Sequence, residues 1–520
     1  MTRPSVARGL PIATLAVALA ALLATTAAAK PVGLIREIPI GGNIGGIAAG
    51  PDGNLWFTEN VPFRSEGGVI AVGRITPQGR VKRFRTGLSR ASEPLGIVAG
   101  ADGNLWFTWD QGLTSNSGGG IGRVTPGGRI TLFPEPPDLH GSPFEIVAGA
   151  DGNLWFTHAA ILTPTGQAIG RITPAGEITE FFTGLSPTAS VTNLTPGPDG
   201  NVWFGDDSND PAVGRITPSG EITEFGGLPR HEFTILYGPT PGPEGNLWFS
   251  ANEPKPLVER VSPAGIVERF GAGLNPRTDI LGPFVTGADG NVWFRNWKDA
   301  PRHGPETEAG LTSIGRITPT GKFTEFSDCL RPMQGYAGPN FLTRGPDGNV
   351  WFTTWPSGDV ARPNRASTPS IGRITPNGKI TEFRLGLHQR SELEELVFAG
   401  GRLWSLDRET NSIAMLVPSR APANTFLLLS HRGLRGAAGA RVTVAVPGPG
   451  RLRVSGPGLK TTVSAARRCG TAAVPVLAKG YLQRTLLQHG APRVRARITF
   501  TPRGGSPFSQ KTTVTLRAAP

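Results

Sequence analysis

Eight times along its 520 residues the chain returns to one short pattern, Gly-Pro-Asp-Gly-Asn-Leu-Trp-Phe or a variant of it. The best copy stands at 50–57; others stand at 100–107, 149–156, 197–204, 242–249, 287–294 and 345–352. A degenerate copy, Gly400-Gly401-Arg402-Leu403-Trp404, ends the series. The tryptophans fall at 56, 106, 155, 203, 248, 293, 351 and 404, a spacing of 45 to 58 residues. A second motif, Ile-Gly-Arg-Ile-Thr-Pro-x-Gly-x-Ile-Thr-Glu-Phe or a variant, follows the first seven copies and is clearest at 169–181, 314–326 and 371–383. A repeat of this length is one small unit stacked on copies of itself.

The unit reads as four antiparallel strands. Asp-Gly between two apolar runs supplies the positive φ of a tight turn. Leu-Trp-Phe-Thr has apolar residues on both faces and is expected to be buried on both. The glycine of Ile-Gly-Arg-Ile leaves room for a bulky neighbour, such as the tryptophan of an adjacent unit. Pro-x-Gly makes the next turn, and Ile-Thr-Glu-Phe alternates as a half-exposed edge strand does. Four strands per roughly 50 residues is one propeller blade, and no unit has a helical period. The strand Leu34–Ile38 precedes the first Trp motif, and the last unit reaches Ile413–Val417 without a fourth strand. The N-terminal strand is therefore expected to close the ring. The expected fold is all-β: an eight-bladed propeller, or a seven-bladed one if the degenerate copy forms no blade.

Charge divides the chain. The formal net charge is +13, yet residues 421–520 hold 16 Lys and Arg and no Asp or Glu. Residues 30–420 are mildly acidic, at −5. Residues 1–29 have a basic start at Arg3 and Arg8, an apolar run over Leu10–Leu23 and a small-residue stretch, Ala27-Ala28-Ala29. That three-part pattern is a secretory signal peptide cleaved near Ala29, so the expected product is secreted or associated with the cell envelope, and monomeric. Residues 30–420 are the propeller. Residues 421–520 lack the repeat and read as short strands, Arg441–Val446, Arg451–Ser455, Thr461–Ala465, Ala472–Leu477, Val494–Thr501 and Thr512–Leu516, with a helical turn at Leu482–Gln488. This is expected to be an immunoglobulin-like β-sandwich. Its charge suits an anionic cell-envelope polymer. Export and the scarcity of aromatics for base stacking argue against nucleic acid. Two cysteines exclude a disulfide framework and a multi-cysteine zinc site. Cys329 and Cys469 could bridge, but unpaired thiols are the expectation.

Residues present in every unit serve the scaffold. Arg74, Arg123, Arg171, Arg215, Arg260, Arg316 and Arg373 recur in register and are expected to pair with turn aspartates or strand glutamates. A ligand site must be built from residues that differ between units. Three positions after each tryptophan stand Glu59, Trp109, His158, Asp206, Ala251, Asn296, Thr354 and Asp407. The first strands start at Gly45, Leu95, Phe144, Thr192, Tyr237, Gly282, Asn340 and Glu394. The hairpin geometry puts both sets on one rim, beside long insertions at Lys298–Ser313 and Pro356–Ser370. Glu59, Trp109, Asp206, Tyr237, Asn296 and Asn340 are the candidate ligand residues of that rim, for a small or peptide-like ligand.

Gly-Pro-Asp-Gly-Asn-Leu-Trp-Phe-Thr-Glu at 50–59 and the Ile-Gly-Arg-Ile motif closely resemble the virginiamycin B lyase (streptogramin lyase) family over about 34–418. The resemblance implies a magnesium-dependent, seven-bladed propeller that opens a cyclic depsipeptide by elimination rather than hydrolysis. The family's catalytic histidine, in Pro-His-Gly-Ile at a first-strand start, maps to Glu394; a second family histidine maps to Asn340. Its metal-binding glutamates map to Glu392 and, approximately, Asp407. No first-strand start here is a histidine. Glu394 or His158 would then be the base, with Glu392 and Asp407 holding Mg²⁺ through oxygen. His140, His231 and His388 lie in loops on the same side. The alternative is a non-catalytic ligand-binding or cell-wall-associated propeller.

Overall fold

A computed structural model describes residues 31–518 except 62–68, 90–91, 112–117, 137–140, 161–165, 209–210, 227–236, 252–256, 272, 275–277, 299–311, 329, 331–337, 355–368, 435–438 and 490. The signal-peptide reading of residues 1–29 lies outside them, as do His140, His231 and most of both long insertions. Among the described residues no helix is long and apolar enough to cross a membrane.

Residues 35–416 form eight four-stranded antiparallel sheets, seven of them from consecutive strands. The first sheet is Asn43–Ala49, Leu55–Val61, Val69–Ile75 and Val81–Arg85. The degenerate copy forms a full sheet from Leu393–Ala399, Arg402–Asp407 and Ser412–Leu416. Its fourth strand is Ile35–Pro39, paired antiparallel with Ser412–Leu416. The first strand of each sheet neighbours that of the next, and the eighth returns to the first. This is a propeller arrangement sealed by the N-terminal strand.

The repeated residues hold neighbouring sheets together. Trp56 shares a core with Phe107 of the second sheet, Trp106 with Phe156 of the third, and the series closes with Trp404 and Phe57. All eight motif tryptophans are fully buried. Their ring partners add about 0.5–1.5 kcal/mol each beyond area burial. Phe84 stacks on Trp56 at 5.5 Å, and the Arg74 guanidinium lies 5.6 Å from the Trp56 ring. The turn carboxylate completes the unit: Trp56 Nε1 donates to Asp52 at 3.0 Å. Arg74 meets Asp52 at 3.6 Å, as expected. Its shorter bond is one the repeat did not reveal, to the Pro126 carbonyl of the next sheet at 2.9 Å. Arg123 and Arg171 make the same step, to Pro174 and Pro218.

The glycine of the third strand differs from expectation. A Cβ at Gly73 would lie 1.9 Å from the Phe57 ring of its own sheet, so the glycine makes room for that phenylalanine rather than a neighbouring tryptophan. Every first strand carries a register shift against its partner, between Ile44 and Ile47 in the first sheet and between Glu394 and Leu396 in the eighth. Such bulges re-aim the side chains they carry. Thr58 ties one bulge to the next, accepting from Gly46 N–H at 3.0 Å and donating to the Leu95 carbonyl at 2.8 Å.

Residues 427–515 form two further four-stranded sheets around one core. One joins Leu427–Gly433, Gly439–Val446, Gly470–Ala478 and Leu459–Lys460; the other joins Thr462–Ala466, Gly450–Ser455, Arg493–Pro502 and Phe508–Thr515. The strand Leu427–Gly433 was not evident in the sequence. The expected helical turn is a helix over Tyr481–His489. Asn424 and Thr425 bind the backbone of Val32 and Gly33, which seats this region against the chain's start. Cys469 is disulfide-bonded, against the expectation of free thiols, and its Sγ lies 3.7 Å from the Ile380 carbonyl. Cys329, the sequence's other cysteine, lies outside the described residues.

Candidate functional site

The described side chains three positions after the tryptophans are buried and engaged by partners within the fold. Glu59 is fully buried and pairs with Arg83 at 2.6 Å. Asn296, also buried, donates to Glu325 at 2.8 Å. Trp109 is buried against Gly120. Asp206 is buried, accepting from Ser186 Oγ and Ser190 N–H, both at 2.7 Å. The Tyr237 side chain lies outside what is described. The hairpin geometry was read correctly, but these side chains point into the packing between sheets rather than out to solvent.

His158 is the sharpest departure from the rim reading. It is wholly buried between Glu135, 2.8 Å from Nε2, and Glu180, 2.6 Å from Nδ1. Burial by itself lowers its pKa, but the two carboxylates outweigh that and raise it to about 9. Burial pushes Glu135 upward against the pull of the imidazolium. An imidazole buried between two carboxylates and held protonated at neutral pH is poorly suited to take a proton from a substrate.

The mapped acids do not assemble a cation cage. Asp407 is fully buried and accepts from Glu392 N–H at 3.0 Å and from Thr410 Oγ1 at 2.6 Å. It caps the turn that follows its strand. Glu394 pairs with Arg408 at 2.6 Å. Glu392 is exposed; desolvation and the neighbouring Glu409, Glu394 and Asp407 raise its pKa. Among the described residues no three His, Cys, Asp or Glu side chains gather as a metal would require. The acids mapped to Mg²⁺ and to the base are thus engaged by protein partners at Asp407 and Glu394, while Glu392 faces solvent. His388 is exposed, with its N–H donating to Glu37 at 2.7 Å.

The first strands do build a site. Their bulges line a cavity of about 600 Å³ to which all eight sheets contribute. Its polar lining is specific to single sheets: Glu145, Asn193, Arg295, Asn340 and Glu395. Glu395 sits on the eighth bulge with φ of 34°, a left-handed backbone unusual for a non-glycine residue. Its Oε2 accepts from Ile47 N–H of the first sheet at 3.1 Å. Burial raises its pKa to about 7. Glu145 does the same between the third and fourth sheets, accepting from Leu194 N–H at 3.0 Å, and burial raises its pKa as well. Arg295 donates to Asn340 Oδ1 at 2.6 Å across the sixth and seventh sheets.

Of the expected first-strand starts, Gly45, Gly282 and Asn340 line this cavity. The others were missed by one place: the bulges turn Glu145, Asn193 and Glu395 inward instead of Phe144, Thr192 and Glu394. Gly45-Gly46 and the Gly-Pro pairs at 238–239 and 282–283 are the signal that could have revealed the bulges. Chemically, the cavity offers two carboxylates, one of them half-protonated near neutrality, a guanidinium and two amides. Such a lining suits a ligand with both donor and acceptor groups.

Residues 35–304 match the family model described as the virginiamycin B lyase family, just over half of the chain. No curated protein matches. Among solved structures, a catalytically inactive virginiamycin B lyase from Staphylococcus aureus with quinupristin is similar, at 23% identity over 74% of this chain and 99% of that one, with a TM-score of 0.44. A puromycin-hydrolysing peptidase from Mycobacterium tuberculosis is similar at 14% identity over 80% of this chain and 62% of that one, TM-score 0.41. YCF48 from Cyanidioschyzon merolae is similar at 11% identity over 74% and 99%, TM-score 0.41. The family match and the blade motifs it covers agree, and the chain belongs to the virginiamycin B lyase family.

Proposed function

We propose that the chain is an exported eight-bladed propeller that binds a small or peptide-like polar ligand in the cavity ringed by its first strands, without metal-assisted elimination. One observation carries this reading: Glu145, Arg295 and Glu395, each from a different sheet, converge on that cavity, while His158, Glu394 and Asp407 are held by partners within the fold. Glu145 and Glu395 are suited to a ligand's amine or amide donors, and Arg295 with Asn340 to its carbonyl or carboxylate. In this reading neither His158 nor Glu394 acts as a base.

The test is turnover of a cyclic depsipeptide such as quinupristin by the purified protein, with Mg²⁺ and with a chelator. Elimination leaves the mass unchanged, so ring opening is followed by chromatographic retention. No turnover in either condition is expected. Mg²⁺-dependent ring opening that survives in His158→Gln and is lost in Glu394→Gln would overturn the non-catalytic reading in favour of a lyase with a replaced base.

A further inference from the structure

The second sheet of the C-terminal region has one face on the core and one in solvent. Leu452, Val454, Ala496, Ile498, Phe500 and Val514 point inward and are buried. The alternate residues on the same strands are Arg451, Arg453, Arg493, Arg495, Arg497 and Lys511, all exposed. Register places them on a single face across three neighbouring strands. Arg451 and Arg453 oppose Thr501 and Thr499, and Arg495 and Arg497 oppose Thr513 and Lys511. Neighbouring strands lie about 5 Å apart and alternate residues about 7 Å apart, so the face is a lattice of cations and threonine hydroxyls at those spacings.

Nothing within residues 421–520 neutralises it, because that stretch has no Asp or Glu. Among the described residues none of these six side chains makes an ion pair. Arg497 and Lys511 stand directly opposite each other, and like charges so placed destabilise a sheet. At one end the face opens into a groove of about 610 Å³ that adds Arg467 and Arg503 beside Arg451, with Val463 and Pro502 as apolar walls. The face carries no exposed aromatic on which a base could stack.

We infer that this face binds a linear polyanion without bases, one that carries phosphate or carboxylate groups at short regular intervals. The charge lattice sets the spacing it accepts. The groove receives one end or a branch of the polymer. The surface is separate from the propeller cavity and does not depend on how that cavity is used.

The test measures binding of the full-length mature protein to inorganic polyphosphate, to polygalacturonate and to single-stranded DNA at several salt concentrations. The expected result is tight, salt-sensitive binding to one or both of the first two, the stronger identifying the preferred anion. The variant Arg453→Gln/Arg495→Gln/Arg497→Gln/Lys511→Gln is expected to bind at least tenfold more weakly. The control Arg432→Gln/Arg441→Gln/Lys460→Gln/Arg484→Gln, which removes the same charge from the other sheet and the helix, is expected to lose less than threefold. All eight positions are exposed, and a thermal melt confirms that both variants fold. Equal losses in the two variants, preference for DNA, or no binding by the wild type would overturn the inference.

Discussion

Glu395 reaches from the eighth sheet to the first and accepts the backbone N–H of Ile47 at 3.1 Å, so a cavity-lining carboxylate also stitches the ring where its two ends meet. Glu145 repeats the device between the third and fourth sheets. The propeller places its blade-specific acids where they can meet a ligand only by giving each an interblade N–H to face.

This predicts a pH dependence. The pKa of Glu395 rises from 4.5 to about 7 on folding. Between those values the folded chain holds more protons than the unfolded one, so stability falls as pH rises through that window and is flat above it. The loss is at most about 3.5 kcal/mol, at about 1.4 kcal/mol per unit. Urea unfolding at acid and mildly alkaline pH should show a smaller pH dependence of stability in Glu395→Gln; an unchanged dependence would count against a desolvated Glu395.

His158 is predicted to act as a structural cation. Its pKa of about 9 exceeds the usual 6.5, so its contribution is full below pH 6.5 and is lost as pH rises through 9. Removing it in His158→Gln leaves two buried carboxylates facing each other and should cost about 3–5 kcal/mol at neutral pH. Glu135→Gln/Glu180→Gln in that background should recover part of the loss. NMR of the imidazole ring should show it still protonated at pH 7.5.

Gly73→Ala should destabilise by at least about 1–3 kcal/mol, because its Cβ would enter the Phe57 ring. Phe57→Ala alone should cost about 3–5 kcal/mol. Because the two changes relieve each other, the double variant should cost less than the sum, as measured by denaturant titration.

Asp407→Ala should lower stability by about 1–3 kcal/mol by leaving the Glu392 N–H without its acceptor and removing the bond that holds Thr410 in the turn. Chelator and added Mg²⁺ should leave the melting temperature of the wild type unchanged. A metal-dependent rise that disappears in this variant would show that Asp407 is a ligand after all.

The scaffold was legible because it repeats. Trp56 and its seven counterparts, the turn Asp52 and the strand alternation identify the sheets, and the lone strand at Ile35–Pro39 identifies how they close. The arginine's bond to the next sheet's Pro126 was not legible, because carbonyl acceptors leave no trace in side-chain identity. The polar lining of the cavity was offset by one residue from the expected positions. A bulge changes which of Phe144 and Glu145, or Glu394 and Glu395, faces the cavity, and an alternating pattern cannot register a residue added to one strand only. The partners of His158 were not legible for a related reason: Glu135 comes from the segment that follows the second sheet and Glu180 from the fourth strand of the third, both more than 20 residues away.

The most direct test of the cavity as the ligand site is calorimetric titration of a cyclic depsipeptide into the wild type and into Glu145→Gln, Arg295→Gln and Glu395→Gln, each with Mg²⁺ and with chelator. Binding that ignores Mg²⁺ and weakens at least tenfold in the Arg295 and Glu395 variants, in proteins that remain folded, is the predicted result. Equal affinity in all three variants, or binding that requires Mg²⁺ and is lost in Asp407→Asn, would contradict it.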